Sequence, residues 1–208
     1  MIKTIFIDWD KTLSTSVFWE QMKNSDSSHI HDFDRLEEFV FKQNKQLVSD
    51  WMFGKYNSEE ICKKVSKSIG LNYKTVFREL VMSTANMRFV DFRIPSILKR
   101  IRKKGLKLVI ATDNMDTFRR FTIPGMKLYD FFDDFLISNE LKCFKYSVSS
   151  GKLPFFEGFL KINKLTYKEV ILIDDSVEKT GYFEKIGFRI KYIKDKKDLL
   201  NHLNEYIS

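Results

Sequence analysis

An α/β fold with a central parallel sheet, flanked by helices and carrying a smaller all-helical insertion, is what this 208-residue sequence predicts. Three observations carry it. Short apolar runs rich in β-branched residues recur at positions 2–7, 107–112, 134–138, 169–174 and 188–193. From the second run onward, helical patterns separate them, and strands that alternate with helices pair in parallel through crossovers. Between residues 17 and 89 no strand pattern occurs.

Residues 2–7 are too short and too β-branched for a helix, and the run ends in Asp8 and Asp10, followed by Thr12. Residues 14–19 predict a short flap beside this strand, and the polar run 21–31 a loop at a domain boundary. His29 and His31 lack further ligands nearby and are expected as exposed loop histidines. Residues 33–89 read as helical. Leu36, Val40 and Leu47 recur at helical spacing, and Asn57 with Glu60 forms a capping signal. The helix it opens carries Ile61, Val65 and Ile69 on one face, and Gly70 can close it. Val76, Phe77, Leu80 and Val81 mark another.

Pro95 predicts a helix start and Gly105 its end. The strand 107–112 ends in Thr112, Asp113 and Asn114, and the strand 134–138 follows. A helix is expected over 155–164. The strand 169–174 has the strongest pattern and ends in Asp174 and Asp175. A helix over 177–185, the strand 188–193 and a helix capped by Asp195 complete the chain. The division is 1–16 with 90–208 for the α/β core, and 17–89 for the helical insertion.

Composition narrows the function classes. A hydrophobic content of 43% with 20 Phe supports a packed core. The formal charge of +8 admits an anionic partner, but Lys and Arg are scattered among acids. The densest cluster, residues 99–104, shares a helix with Ile97, Leu98 and Ile101 and is expected as its solvated face. Cys62 and Cys143 give neither a disulfide framework nor zinc spacing. No run approaches transmembrane length and no signal-peptide pattern opens the chain, so no membrane association and a cytoplasmic location are expected.

In a parallel sheet the polar strand ends at Asp8/Asp10, Thr112 and Asp174/Asp175 all point to one crevice. Acids gathered there repel one another unless a cation sits among them. Carboxylate oxygens suit Mg²⁺, with waters and a substrate phosphate completing the shell. A carboxylate-bound Mg²⁺ and a small phosphorylated substrate are therefore expected.

These residues, in this order and strand context, resemble the four motifs of the haloacid dehalogenase-like (HAD) superfamily, over about 1–20 and 90–193, with 17–89 in the place of its helical cap. The resemblance implies a Rossmann-like core and a phosphatase. Asp8 would be the nucleophile that forms an aspartyl-phosphate, and Asp10 the acid and base that serves the leaving oxygen and then water. Dehalogenases of the superfamily lack an acid at the Asp10 position. Thr112 and Asp113 would bind the phosphoryl group. Asp8, the Asp10 carbonyl, Asp174 and Asp175 would hold Mg²⁺, Asp175 more directly than Asp174. A lysine would neutralise the phosphate. Lys152, at a helix start, is preferred here to Lys145, which sits seven residues past Ser138. The usual Lys-Pro pair is absent at both, and Glu178 and Lys179 stand where a further acid is common.

Trp19, Trp51 and Phe53 are candidates to line a cavity under the insertion, or to form its core. The alternative function is a non-catalytic nucleic-acid- or anion-binding module on the same fold. A covered site suits a small molecule better than a polymer, so nucleic acid is not the expected partner. Substrate identity, phosphatase against phosphomutase, and oligomeric state are not legible in the residues.

Overall fold

The computed structural model describes residues 1–23 and 30–207 of the chain. Five strands form one parallel sheet in the order β3-β2-β1-β4-β5. They are β1 Thr4–Ile7, β2 Lys107–Thr112, β3 Asp134–Ile137, β4 Val170–Asp174 and β5 Arg189–Tyr192. The Rossmann-like α/β architecture expected from the alternation is present. The order reverses between β1 and β4, where open α/β sheets place their ligand crevice.

Alternate residues of each strand feed two cores. Ile5, Ile7, Leu108 and Ile110 pack on one face beneath α5 (Ile94–Lys103) and the helix Lys196–Asn204. Phe6, Val109 and Leu172 pack on the other, beneath the helix Pro154–Asn163. Much of the phenylalanine is spent on this second face. The rings of Phe6 and Phe156 lie 5.0 Å apart, and those of Phe156 and Phe188 4.8 Å apart. Such edge-on pairs add to the area they bury.

Among the described residues, four α-helices lie between β1 and α5: α1 Ile30–Glu37, continued by a π-helical stretch Glu38–Gln43, α2 Lys45–Met52, α3 Ser58–Ile69 and α4 Tyr73–Ala85. They share a separate apolar cluster that includes Leu36, Val40, Ile61, Val65, Val76 and Leu80. The capping box of Asn57 and Glu60 forms, and Gly70 closes α3 in the left-handed conformation that glycine tolerates. Two connections join these helices to the sheet side by side. Val90 N donates to the Leu13 carbonyl and Arg88 N to Ser16 Oγ.

Two expectations need correction. The helix placed over 177–185 covers only Tyr182–Lys185. The Glu178 carboxylate accepts the Thr180 N–H, and Gly181 takes a positive φ, so local side-chain bonds hold 177–181 as a loop. The loop expected over 21–31 is partly helical: Glu20–Lys23 forms a short helical turn, and α1 begins at Ile30. His31 is exposed on α1, and His29 lies outside the described residues. Among the described residues, no helix is long and apolar enough to cross a membrane.

Candidate active site

The site is built at the carboxyl ends of β1 and β4. Register sets Ile7 beside Ile173, and the Asp8 N–H continues the ladder by donating to the Ile173 carbonyl at 3.0 Å. Asp8 and Asp174 are thus held as neighbours on adjacent strands, both buried. After Asp8 the chain turns sharply. The Leu13 and Ser14 N–H groups both donate to the Trp9 carbonyl, and Lys11 adopts φ 56°. This turn leaves Asp10 exposed to the cleft and buries Thr12.

The central cation is Lys145. Its Nζ lies 2.7 Å from Asp8 Oδ1 and 2.5 Å from Asp174 Oδ2, and its side chain is almost fully buried. Its own N–H donates to Asp113 Oδ1 at 2.9 Å, and the Tyr146 hydroxyl donates to the Ser176 carbonyl. An otherwise irregular segment is therefore tied to the ends of both β2 and β4. The expectation that Lys152 fills this role is corrected. Lys152 is exposed and pairs its backbone with Ser149 across a tight turn, in which Ser150 and Gly151 both have positive φ. A helix start was the wrong criterion, because the lysine at the centre is carried by a loop.

Asp174 spends Oδ1 on the Ser176 N–H at 2.7 Å and Oδ2 on Lys145. Asp175 is half-exposed and faces the same place. Carboxylate oxygens of Asp8, Asp174 and Asp175 lie within 4.8 Å of one another. The Asp10 carboxylate is not part of that group. Thr112, at the end of β2, is buried, and among the described residues neither its hydroxyl nor that of Thr12 has a hydrogen-bond partner. Thr112 does not cap the turn that follows it. Asn114 is buried behind, donating its N–H to Ser138 Oγ.

Burial pushes the Asp8 carboxyl up, and Asp174 adds to this against the pull of Lys145, so that it reaches about 7. Burial pulls the Lys145 ammonium down, but Asp8 and Asp174 outweigh it and hold it above its ordinary value. Asp10 is raised by desolvation against the field of Lys11. Asp113 is raised by burial against Lys145, and Asp175 by burial and by Asp174. Three acids meet one buried cation, a balance that a further cation would complete.

A cleft of about 440 Å³ lies between Asp10 and Asp113 of the site and the helical layer; Asp8, Lys145, Asp174 and Asp175 are not among the residues that line it. Asp10, Asp113 and Asn114 line its lower end, and Phe18, Trp19, Phe33 and Phe41 its upper part. Trp51 and Phe53 do not line it. Trp51 is buried and donates Nε1–H to Asp116 at 2.7 Å, and Phe53 packs on Phe144. Asp116 is a residue that sequence reasoning missed. It joins the two layers, accepting also from Ser58 N and Ser58 Oγ and pairing with Arg120. Its one signal was a position four residues past Thr112, on the turn that leaves the site.

No family model matches the chain, and no curated protein does. Solved structures are similar over nearly its whole length. A HAD family enzyme from Bacteroides thetaiotaomicron superposes with a TM-score of 0.68 at 16% identity, covering 98% of each chain. The same enzyme has been solved in complex with magnesium and inorganic phosphate (TM-score 0.64, 16% identity, 93% of this chain and 95% of that one). A protein described as a predicted HAD-like family hydrolase, from Porphyromonas gingivalis, gives 0.66 at 18% identity, covering 99% and 97%. L-2-haloacid dehalogenase from Xanthobacter autotrophicus gives 0.64 at 15% identity, covering 93% and 78%. At such identities the likeness is one of fold, and the chain has the HAD-like fold, with its acids gathered where the strand order reverses.

Proposed function

We propose that the protein is a Mg²⁺-dependent phosphatase that hydrolyses a small phosphorylated molecule through an aspartyl-phosphate on Asp8. The observation that carries this is Asp10, a carboxyl open to the cleft two residues beyond the buried Asp8 that Lys145 grips. In the first step an Asp8 oxygen attacks phosphorus, the bond to the leaving oxygen breaks, and Asp10 gives that oxygen its proton. In the second, Asp10 takes a proton from water, the water oxygen attacks phosphorus, and the bond to Asp8 breaks. The Lys145 ammonium beside Asp8 favours its ionised form for attack, and Asp10, open to the cleft, is placed to exchange a proton with the leaving oxygen and with water.

Three features of the chain support a phosphoryl group and a divalent cation here. The hydroxyls of Thr12 and Thr112 are buried without partners among the described residues, and phosphoryl oxygens would accept from both. Lys145 supplies a fixed positive charge beside the attacking oxygen. Asp8, Asp174 and Asp175 offer the oxygen donors that Mg²⁺ prefers. With both Asp174 oxygens engaged inside the protein, Asp175 and Asp8 are the better ligands, together with the Asp10 carbonyl. When bound, Mg²⁺ supplies positive charge against the phosphoryl oxygens.

The test is release of phosphate from 4-nitrophenyl phosphate, with Mg²⁺ and after its removal by a chelator. Wild type is expected to be active only with the metal. Asp8→Asn is expected to lose at least about 10³-fold while remaining folded. Equal activity in the two proteins, or release of halide from a 2-haloacid in place of phosphate, would remove the proposal.

A further inference from the structure

The upper end of the cleft carries an acid that the chemistry above does not use. Glu37 lies at the end of α1, half-buried, and lines the cleft. Phe33 and Glu37 follow one another on α1 and Phe41 on the π-helical stretch that continues it, and all three line the same space. Among the described residues, the Glu37 carboxylate has neither an ion pair nor a hydrogen bond. Phe18 and Phe41 line the same cleft, their rings packed on each other at 6.0 Å between centroids. The nearby cations are otherwise engaged. Lys23 sits over the Phe33 ring at 4.3 Å, and Arg35 pairs with Asp32. Lys11, also in the lining, stands at the floor, where its field acts on Asp10 and Asp175.

One cleft holds both Asp10, which serves the leaving oxygen, and an unpaired carboxylate among aromatic side chains, so a ligand with an anionic group at the first and a cationic group at the second matches its lining. Resting on the phosphatase reading for its phosphate end, we propose that the substrate is the phosphomonoester of an amino alcohol, its ammonium group held by Glu37 and the faces of Phe18 and Phe41. An ammonium over an aromatic face is attracted by the ring quadrupole, and a nearby carboxylate adds to this in a partly dry cleft. A cleft of about 440 Å³ is within the range that holds small-molecule ligands. Hydrolysis needs only water as co-reactant, and the ammonium takes no part in the bond changes.

The experiment compares 2-(trimethylammonio)ethyl phosphate with its neutral carbon isostere, 3,3-dimethylbutyl phosphate. In wild type kcat/KM is expected to favour the cationic ester by about tenfold. In Glu37→Gln the ratio of the two is expected to fall toward one, a comparison internal to each protein. In parallel, calorimetry measures binding of the two parent alcohols to the wild-type chain, which requires neither hydrolysis nor a variant. Preference for the cationic alcohol with neither ester hydrolysed would strike the phosphatase reading and leave the cation site standing. Equal binding of the two alcohols would overturn the cation site whatever the hydrolysis assay shows, and so would an unchanged ratio in a folded Glu37→Gln protein.

Discussion

Two clusters in this protein have the same charge count and opposite characters. At the carboxyl ends of β1 and β4, Lys145 meets Asp8 and Asp174; at the joint between the layers, Arg120 meets Glu59 and Asp116. Each is one cation between two acids. The joint is half open to solvent, and Asp116 there takes three further donors, from Trp51 and Ser58. The strand-end cluster is buried, with two hydroxyls that have no partner among the described residues and a third acid facing it. A saturated network is what holding two layers together requires. An unsaturated one costs stability and is tolerated where a ligand completes it.

The largest effect that could break this contrast is Lys145→Met. It strands two buried carboxylates, which costs about 3–5 kcal/mol when one partner of a buried pair is removed. It also removes the charge beside Asp8, and hydrolysis is expected to fall by about 10³-fold. Arg120→Met, at the exposed joint, is expected to cost about 1 kcal/mol. Urea unfolding of the two variants side by side checks this, and equal losses would mean that burial does not separate the clusters.

A second test asks whether the site stores a cost. A carboxyl raised in the folded protein disfavours its own ionised form there. For Asp8 the penalty grows as pH rises from the ordinary 3.8 to about 7, and stays constant above. Asp8→Asn removes it. The variant should therefore melt higher than metal-free wild type, with the gap opening between about pH 4 and pH 7 and constant above. At the upper end about 1 kcal/mol, roughly 3 °C, is expected. Added Mg²⁺ should narrow the gap, because it favours the ionised wild-type carboxylate. Thermal melts at several pH values, with and without metal, read this directly.

At the joint, Asp116→Ala leaves the Trp51 indole N–H and the Ser58 hydroxyl without an acceptor. A loss of about 2 kcal/mol is expected. If the joint only positions the helical layer, KM should rise while kcat stays within a few-fold. A fall in kcat alone would place Asp116 in the chemistry and blur the distinction between the two clusters.

Legibility in the sequence followed the same divide. Strands announced themselves because a buried parallel strand must be apolar along its length, and β2 runs over the residues its pattern marked. The capping box at Asn57 was equally legible, being a purely local bond pattern. What was hidden depends on loops and on partners distant along the chain. Glu178 bonding to Thr180 turned an expected helix into a loop. Asp116 could not be seen to meet Trp51 and Ser58 from far along the chain. Thr112 stood out as a strand end, but that its hydroxyl is buried and unpartnered is a fact of packing.

The smallest expected effect bears on the lysine. Lys145 and Lys152 are seven residues apart, and either spacing fits the pattern of polar strand ends. Their surroundings separate them: one ammonium is enclosed by Asp8 and Asp174, and the other residue is exposed on a turn formed by Ser150 and Gly151. Lys152→Ala should leave stability within about 0.5 kcal/mol, as exposed substitutions generally do. Its kcat/KM for 4-nitrophenyl phosphate should stay within about twofold, since an exposed charge acts on the site only through screened distance. A loss of activity comparable to that of Lys145→Met would mean that the turn folds over the site during turnover, and that the buried cluster is not the whole of the cationic machinery.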